Sequence, residues 1–246
     1  MDLSTKVVLL TGAKRVGAAV AAAVAARGAD VAIVYNTSRD EAEEAAVTVR
    51  GAGRRALVVQ GDVSDAATCA SIVEQTVSGL GRLDVLINMA SLYRPVPFDE
   101  TDAAAWDRQL GVDLRGSFLC AKAAVPVMRK TGGGRIVNFS DWIAASERPR
   151  YKGYLAYYVA KSGVKALTEA LALELAGDNI LVNAIAPGPI LAPPDLTPAQ
   201  LKAVEDATPL GRWGGVEEVV KAVLMLIDSD FITGETIRVD GGRHVY

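Results

Sequence analysis

Short apolar runs alternate with longer amphipathic segments along the chain. Four early runs have the length of strands and contain no polar residue, at positions 7–10, 31–34, 56–59 and 85–87. Three later runs occupy positions 135–139, 180–185 and 236–239. Apolar runs of this length are typical of parallel strands that are buried on both faces. The pattern therefore predicts seven strands.

Helical patterns fill the intervals between these runs, for example at 40–50, 65–78, 103–129 and 157–176. Repeated strand–helix–strand units require crossover connections, which are right-handed and place helices on both faces of a sheet. Glycine clusters at 51–53 and 132–134 fall at predicted boundaries. We therefore predict one α/β domain over residues 1–246, with a doubly wound, parallel, seven-stranded sheet.

The stretch from Pro187 to Pro198 is rich in proline and interrupts this alternation. Long connections beside a site often cover it. We predict a substrate lid at about residues 190–212.

Composition and charge restrict the classes of partner. The chain has 246 residues, of which 50% are hydrophobic, and its formal net charge is −3. This is the profile of a globular protein without a broad basic surface, so we expect neither nucleic acid nor membrane as partner. Residues 1–6 lack the features of a signal peptide, and the alanine-rich segment 16–26 is shorter than the roughly 20 residues that span a bilayer. We predict a cytoplasmic protein.

Cysteine and histidine are scarce. The two cysteines, Cys69 and Cys120, have no metal-site spacing and indicate a reducing compartment. The one histidine is His244, close to the last residue. A Ser-His-Asp hydrolase or a His-ligated metal enzyme would have to use it, so we expect no metal and acid–base chemistry on Tyr, Lys, Asp or Glu.

A glycine-containing turn, TGAKRVG at positions 11–17, follows the first predicted strand and opens the first helix. Such a turn offers backbone N–H groups and a helix N-terminus to a pyrophosphate, although glycine also suits any tight strand–helix connection. Its position in the first strand–helix–strand unit favours dinucleotide binding. The expected binding residues are Thr11, Gly12, Lys14, Arg15 and Gly17.

The end of the second strand indicates which dinucleotide is bound. NAD sites usually carry an acid there for the ribose 2′-hydroxyl, but the chain has Tyr35 and Asn36, followed by Ser38 and Arg39. Together with Lys14 and Arg15, the last two can surround a 2′-phosphate. The alternative is that Arg39 is a solvated residue at a helix start. The sequence favours NADP(H).

Tyr157 and Lys161 stand four residues apart in a helical segment and therefore share a face. An ammonium near a phenol favours the phenolate, so we expect a lowered pKa for Tyr157, which would give its proton to a substrate atom. The alternative is an ordinary amphipathic helix with an exposed lysine. Tyr154 and Tyr158 are not followed by a lysine at this spacing.

The order of these motifs resembles the short-chain dehydrogenase/reductase family over nearly the whole chain. The matching segments are 11–17, Gly61-Asp62-Val63, Asn88-Met89-Ala90-Ser91, Tyr157 to Lys161, Pro187-Gly188 and Val239 to Gly242.

The resemblance implies a single-domain Rossmann fold, a homotetramer built partly through segments 103–129 and 157–176, and a lysine that binds the nicotinamide ribose. It also implies adenine contacts from Asp62 and Val63. Further positions that it assigns to the cofactor are Asn88, Ala90 and Ser91 beside a ribose, and Pro187, Gly188 and Ile190 beside the nicotinamide.

Within the family, the chain is similar to the pteridine reductase branch. Asp141 stands where most members have a serine, with Ser140 one residue earlier, and Tyr93 aligns with an aromatic that stacks on a pterin. This implies an NADPH-dependent reductase of a pteridine-like ring, with Tyr93, Asp141 and Trp142 at the substrate. The alternatives are a reductase of a 3-oxoacyl thioester or another ketone, and a non-catalytic NADP-binding sensor.

Three features depart from that branch. The turn at 11–17 is one residue short, and an insertion before Tyr157 includes Arg148, Arg150 and Lys152. Asp113 replaces the asparagine that the family uses in proton relay. We expect Asp113 and Asp141 to flank Lys161, one of the two to have a raised pKa, and Asp141 to be partly protonated near neutrality. Asp113 would then weaken the effect of Lys161 on Tyr157.

Overall fold

Seven parallel strands form one sheet in the computed structural model, which describes residues 1–245. Their order is β3-β2-β1-β4-β5-β6-β7. All seven predicted strands are present, and most extend by one or two residues beyond the apolar run. The strands are β1 (Val7–Thr11), β2 (Asp30–Tyr35), β3 (Ala56–Gln60), β4 (Val85–Asn88), β5 (Gly134–Phe139), β6 (Ile180–Pro187) and β7 (Thr236–Val239).

Helices connect the strands and cover both faces of the sheet. They are α1 (Val16–Ala26), α2 (Arg39–Gly51), α3 (Ala66–Leu80), α4 (Ala103–Leu110), α5 (Gly116–Lys130), α6 (Trp142–Ala145), α7 (Leu155–Leu175), α8 (Pro198–Asp206) and α9 (Val216–Asp228). The prediction of a single helix at 103–129 is wrong in one respect. A π-helical turn, Gly111–Arg115, divides this segment into α4 and α5.

The core has one apolar cluster on each face of the sheet. Side chains of α1, α2 and α9 pack on one face, and those of α3, α5 and α7 pack on the other. The inner strands β1, β4 and β5 are buried along their whole length, which confirms the two-sided burial inferred from their apolar runs. Within residues 1–245, no helix is long and apolar enough to cross a membrane.

The carboxyl ends of the inner strands meet at one edge of the sheet. Thr11 pairs with Asn88 across β1 and β4, and Asn88 pairs with Asn138 across β4 and β5. The strand order reverses between β1 and β4, and ligands of doubly wound folds bind in the crevice outside such a reversal. The residues predicted from separate motifs are therefore brought to this edge.

Candidate active site

Tyr157 and Asp141 form the centre of the site. Tyr157 lies in the first turn of α7 and is buried, and Asp141 follows β5 as the N-cap of α6. The Tyr157 hydroxyl donates to Asp141 Oδ2 at 2.7 Å, and the other carboxylate oxygen accepts the Ile143 N–H at 3.0 Å. The backbone contact fixes the carboxylate, so it can orient the phenol.

Ser140 has a structural role. Its hydroxyl is buried and donates to the backbone carbonyl of Lys161 at 2.9 Å. This bond ties the end of β5 to α7 and uses the single donor of the serine. Asp141 therefore takes the position beside Tyr157.

Lys161 is paired with Asp113. Its Nζ lies 3.2 Å from Asp113 Oδ1 and donates to the Phe139 carbonyl at 2.9 Å. The same nitrogen is 5.7 Å from the centre of the Tyr157 ring. We predicted that both carboxylates would flank this lysine. Asp113 does pair with Lys161, whereas Asp141 is hydrogen-bonded to Tyr157.

The expected lowering of the Tyr157 pKa is wrong. Burial raises this pKa well above its usual value, and the carboxylates of Asp141 and Asp113 add to the rise. Removing a phenol from water disfavours its charged form, and the ammonium that would oppose this effect is held by Asp113. These surroundings favour the neutral phenol of Tyr157.

The expected rise in the pKa of Asp141 is confirmed in direction. Its main cause is burial of the carboxyl group, which outweighs the hydrogen bonds from Ile143 and Tyr157 and the charge of Lys161. The cause predicted from the sequence, repulsion from Asp113, is wrong. Desolvation alone gives Asp141 a tendency to hold a proton.

The turn at 11–17 has the shape of a phosphate cradle. Gly12 has φ +93°, and a Cβ there would lie 3.2 Å from the Met89 carbonyl group. A Cβ at Gly17 would overlap the carbonyl oxygen of Gly12. No side chain caps the N-terminus of α1. The turn therefore leaves backbone and helix-end N–H groups to a ligand, as binding of a dinucleotide pyrophosphate requires.

The next strand end contributes polar groups to the same crevice. Thr11 Oγ1 accepts the N–H groups of Met89 and Ala90 at 3.0 and 3.2 Å, which joins β1 to β4. Asn88 Oδ1 is buried without a hydrogen-bond partner. Ser91 donates its hydroxyl to Asp113. A ligand that brings hydroxyl donors, as a ribose does, suits this part of the crevice.

The predicted adenosine-side residues surround the end of β2. Tyr35 is half-buried, Asn36 and Arg39 are exposed, and Ser38 caps α2 without a side-chain bond. Lys14 lies 3.2 Å from Glu41. Val63 is buried, and Asp62 accepts the Ser64 N–H at 2.9 Å.

The side chain of Arg15 contacts a different part of the protein from that of Lys14. Its guanidinium donates to the Ala192 carbonyl at 3.0 Å, and its φ is +48°. It therefore joins the glycine turn to the segment predicted as a lid.

The remaining cofactor positions lie where β6 ends. A Cβ at Gly188 would be 2.6 Å from Asp240, so glycine is required for this close approach. Ile190 is buried, and its carbonyl accepts the Gly215 N–H at 3.0 Å. The segment that begins at Pro187 is therefore bonded to the residues just after the predicted lid.

The predicted lid contains α8 and is fastened to the C-terminal segment. The sequence TPAQ at 197–200 forms a capping box that starts this helix. Arg243 donates to the Val204 carbonyl at 2.8 Å and to Thr208 Oγ1 at 3.1 Å.

Aromatic rings form the wall beside Tyr157. The Tyr93 ring is 5.1 Å from the Tyr157 ring and 5.0 Å from the Tyr154 ring, and 56% of Tyr93 is exposed. Trp142 is buried, with the guanidinium groups of Arg150 and Arg243 at 5.5 and 5.4 Å from its ring centre. Tyr93 is therefore available to a ligand, whereas Trp142 supports the wall.

One cavity lies away from Tyr157. A space of about 380 Å³ lies between the lid and β7, with Ile190, Leu210 and Arg238 in its wall. A recess of about 20 Å³, lined by Gln109 and Tyr157 among others, adjoins the phenol. We locate the site by the Tyr157 cluster, because it holds the groups able to transfer a proton.

Sequence reasoning missed three contributors to the site. Gln109 donates to Asp113 Oδ2 at 2.8 Å, and its spacing of four residues from Asp113 was a readable signal. Tyr154 contacts both Tyr93 and Tyr157. Arg243 reaches Trp142 from the C-terminal segment, and no local pattern indicates that contact.

Fold and site together define an oxidoreductase that uses a nicotinamide cofactor, and known proteins agree. The family model described as Enoyl-(Acyl carrier protein) reductase matches residues 12–244. Cis-4-hydroxycyclohexanecarboxylate dehydrogenase of Sinomonas cyclohexanicum is 38% identical, covering 96% of both chains. 3-Oxoacyl-[acyl-carrier-protein] reductase FabG of Staphylococcus aureus is 34% identical, covering 98% of this chain and 99% of the relative.

Solved structures give the same result. The short-chain dehydrogenase/reductase from Serratia marcescens has a TM-score of 0.91 at 33% identity, covering 99% of this chain and all of that one. A blue fluorescent protein from a metagenomic library, in complex with NADPH, has a TM-score of 0.90 at 31% identity, covering 99% of both chains. The chain belongs to the short-chain dehydrogenase/reductase family.

Proposed function

We propose that the protein is an NADP(H)-dependent oxidoreductase that interconverts a ketone and a secondary alcohol. The observation that carries the proposal is the 2.7 Å hydrogen bond between Tyr157 and Asp141 beside the exposed ring of Tyr93. A proton donor, a second acidic group and an aromatic surface meet there. A carbonyl oxygen placed between the two acidic groups can accept a proton from either.

The chain's own residues supply the proton chemistry. NADPH, when bound, would supply the hydride for the carbonyl carbon. Tyr157 gives its phenol proton to the carbonyl oxygen, so the substrate gains one hydride and one proton. Asp141, in its protonated form, returns a proton to the Tyr157 oxygen across their hydrogen bond. Lys161 and Asp113 form a neutral pair beside this path.

The choice of NADP(H) rests on charge at the adenosine side. Lys14 lies in the turn before α1, where it pairs with Glu41, and Arg39 is the first residue of α2; no carboxylate ends β2. A 2′-phosphate attracts both cations, whereas the NAD ribose usually meets an acid there. The relative solved with NADPH is consistent with this choice.

The choice of a ketone over a pteridine follows from the relatives. Two curated relatives are named for alcohol or oxoacyl chemistry, and one acts on a hydroxycyclohexane ring. A cyclic ketone has a flat face that suits Tyr93. The pteridine-like substrate is the second candidate, and the Asp141–Tyr157 pair beside Tyr93 is the feature that favours it.

We also propose the homotetramer implied by the family resemblance. Apolar side chains are exposed on α5 and α7, the helices expected at its interfaces, and they include Phe118 and Leu173. Large exposed apolar side chains on one helix are typical of an interface. Light scattering of the pure protein tests the mass, and a monomer would contradict the proposal.

NADPH oxidation with a panel of acceptors tests the activity. The panel holds 4-oxocyclohexanecarboxylate, an acetoacetyl thioester, dihydrobiopterin and dihydrofolate, each measured also with NADH. We expect turnover with one of the two ketones and a preference for NADPH. Turnover with the pterins alone would establish the second candidate, and tight NADPH binding without any turnover would support the sensor function.

A further inference from the structure

The π-helical turn places Asp113 inside the protein. The Gly116 N–H bonds to the Gly111 carbonyl, five residues back, which widens the helix at this point. Asp113 lies within that turn and is buried with 1% of its surface exposed. Such turns inserted into α-helices are frequent at functional sites.

Four hydrogen-bond donors surround the Asp113 carboxylate. Oδ1 meets the Ser91 hydroxyl and the Lys161 ammonium, the latter at 3.2 Å. Oδ2 accepts from the Leu92 N–H at 3.0 Å and from Gln109 Nε2 at 2.8 Å. An ionised carboxylate only accepts hydrogen bonds, so a cage made of donors suits that form.

Gln109 closes this cage and fixes the loop above it. Besides Asp113, its amide donates to the Leu92 carbonyl at 2.9 Å. Leu92 is thus bonded through its N–H to Asp113 and through its carbonyl to Gln109. The next residue is Tyr93, so the cage also holds the aromatic surface in place.

We propose that Asp113 is a positioning residue, a fixed counter-ion that compensates the charge of Lys161 and thereby keeps Tyr157 a neutral phenol in the free enzyme. Other charged or titratable groups face Tyr157 from each neighbouring element: Asp141 at the start of α6, Tyr93 after β4, and Tyr154 and Lys161 on α7. Arg94, after β4, also lines the recess beside Tyr157, but Lys161 is the cation whose ammonium lies 5.7 Å from the centre of the phenol ring. Its compensation by Asp113 therefore reduces the positive potential at the phenol.

The raised pKa of Tyr157 is in accord with this arrangement, since burial is its first cause and Asp113 contributes to it. The inference deepens the proposed function, because it concerns the group that donates the proton there. An enzyme arranged in this way holds its proton ready for reduction of a carbonyl.

Ultraviolet titration of the ligand-free protein tests the inference. The absorbance of tyrosinate is followed against pH for each protein and for its Tyr157→Phe derivative, and the difference isolates Tyr157. In the wild type we expect no ionisation of Tyr157 before alkaline unfolding. Ionisation of Tyr157 near neutrality in the wild type would overturn the inference without any further variant.

Three variants separate charge from structure. Asp113→Asn leaves Lys161 uncompensated, so Tyr157 should now ionise before alkaline unfolding. Asp113→Asn/Lys161→Met removes both charges and should restore the wild-type titration. Gln109→Leu disturbs the same cage at constant charge and should leave the titration unchanged.

Two results would contradict the role of Asp113: no ionisation of Tyr157 before alkaline unfolding in Asp113→Asn, or ionisation of Tyr157 at the same pH in Gln109→Leu. The titration needs neither substrate nor cofactor. If no ketone of the panel is reduced but the titration gives the expected result, the proposed function is refuted and this inference stands. If a ketone is reduced but the titration does not give the expected result, the inference alone is refuted.

Discussion

Asp141 accepts a 2.7 Å hydrogen bond from the phenol of Tyr157, and both groups are removed from water. Tyr157 is therefore paired with an acid that itself tends to hold a proton. A serine at this position would add a hydrogen bond but no second titratable group. This pairing distinguishes the site from one that uses a tyrosine and a lysine alone.

The pH dependence of the wild-type stability should reflect the raised pKa of Asp141. Its folded pKa lies above the unfolded value, so its contribution is fully present below the unfolded pKa and is lost as pH rises through the folded pKa. Asp141→Asn cannot ionise and avoids this loss. Denaturant unfolding should show the variant gaining stability relative to wild type as pH rises from acid to neutral.

Asp65→Asn provides a control with the opposite sign. Asp65 is also an N-cap, but its pKa is lowered by hydrogen bonds from Thr68. Its contribution is present above the unfolded pKa and is lost as pH falls through the folded pKa. This variant should be less stable than wild type at neutral pH, with a deficit that shrinks in acid. If the stabilities of Asp141→Asn and Asp65→Asn, each relative to wild type, changed in the same direction with rising pH, the inference that the two carboxylates have different surroundings would be contradicted.

The glycine turn should tolerate no side chain at its second glycine. Gly17→Ala forces a methyl group onto the Gly12 carbonyl, so we expect a loss of about 3 kcal/mol in unfolding free energy and weakened NADPH binding. Gly51→Ala is the matched control, because no atom lies within 4 Å of a Cβ there. Calorimetric titration with NADPH reports the binding. If Gly17→Ala and Gly51→Ala were equally stable, the turn would have to accommodate the added methyl group, which would contradict the prediction.

Recognition of the 2′-phosphate should depend on Arg39. Arg39→Gln removes one charge-assisted hydrogen bond, worth about 1.5 to 3 kcal/mol, so the Kd for NADPH should rise by at least about tenfold. The Kd for NADH should not change. Arg50→Gln, at the opposite end of α2, is the control and should leave both values unaltered. A similar loss for both cofactors would refute discrimination by Arg39.

Tyr93 should contribute to substrate binding and leave cofactor binding unaffected. Tyr93→Leu removes a stacking surface worth about 0.5 to 1.5 kcal/mol, so KM for a ring ketone should rise by a factor of about two to ten. The Kd for NADPH should stay constant. Steady-state kinetics and calorimetry measure the two quantities. An unchanged KM would place the substrate away from this ring.

Much of the fold was predictable because its causes are local or repetitive. Apolar runs identify strands that are buried on both faces, and the spacing of Tyr157 and Lys161 follows from helix geometry. The convergence of Thr11, Asn88 and Asp141 follows from the rule that parallel strands end at one edge.

Other features depend on tertiary packing. The π-helical turn at Asp113 has no signature in the sequence around it, and it decides which carboxylate meets Lys161. The direction of the Tyr157 pKa depends on burial, which outweighs a lysine four residues away. Arg243 joins the lid and Trp142 from the C-terminal segment, a contact between residues more than 30 positions apart.

Deuterium transfer tests the central claim most directly. NADPH that carries deuterium at the transferable position is mixed with the ketone that the panel identifies, and the alcohol is analysed by mass spectrometry. We expect one deuterium on the carbinol carbon with wild type and with the control Tyr158→Phe, and at least a hundredfold slower transfer with Tyr157→Phe. Transfer at the wild-type rate in Tyr157→Phe would contradict this prediction.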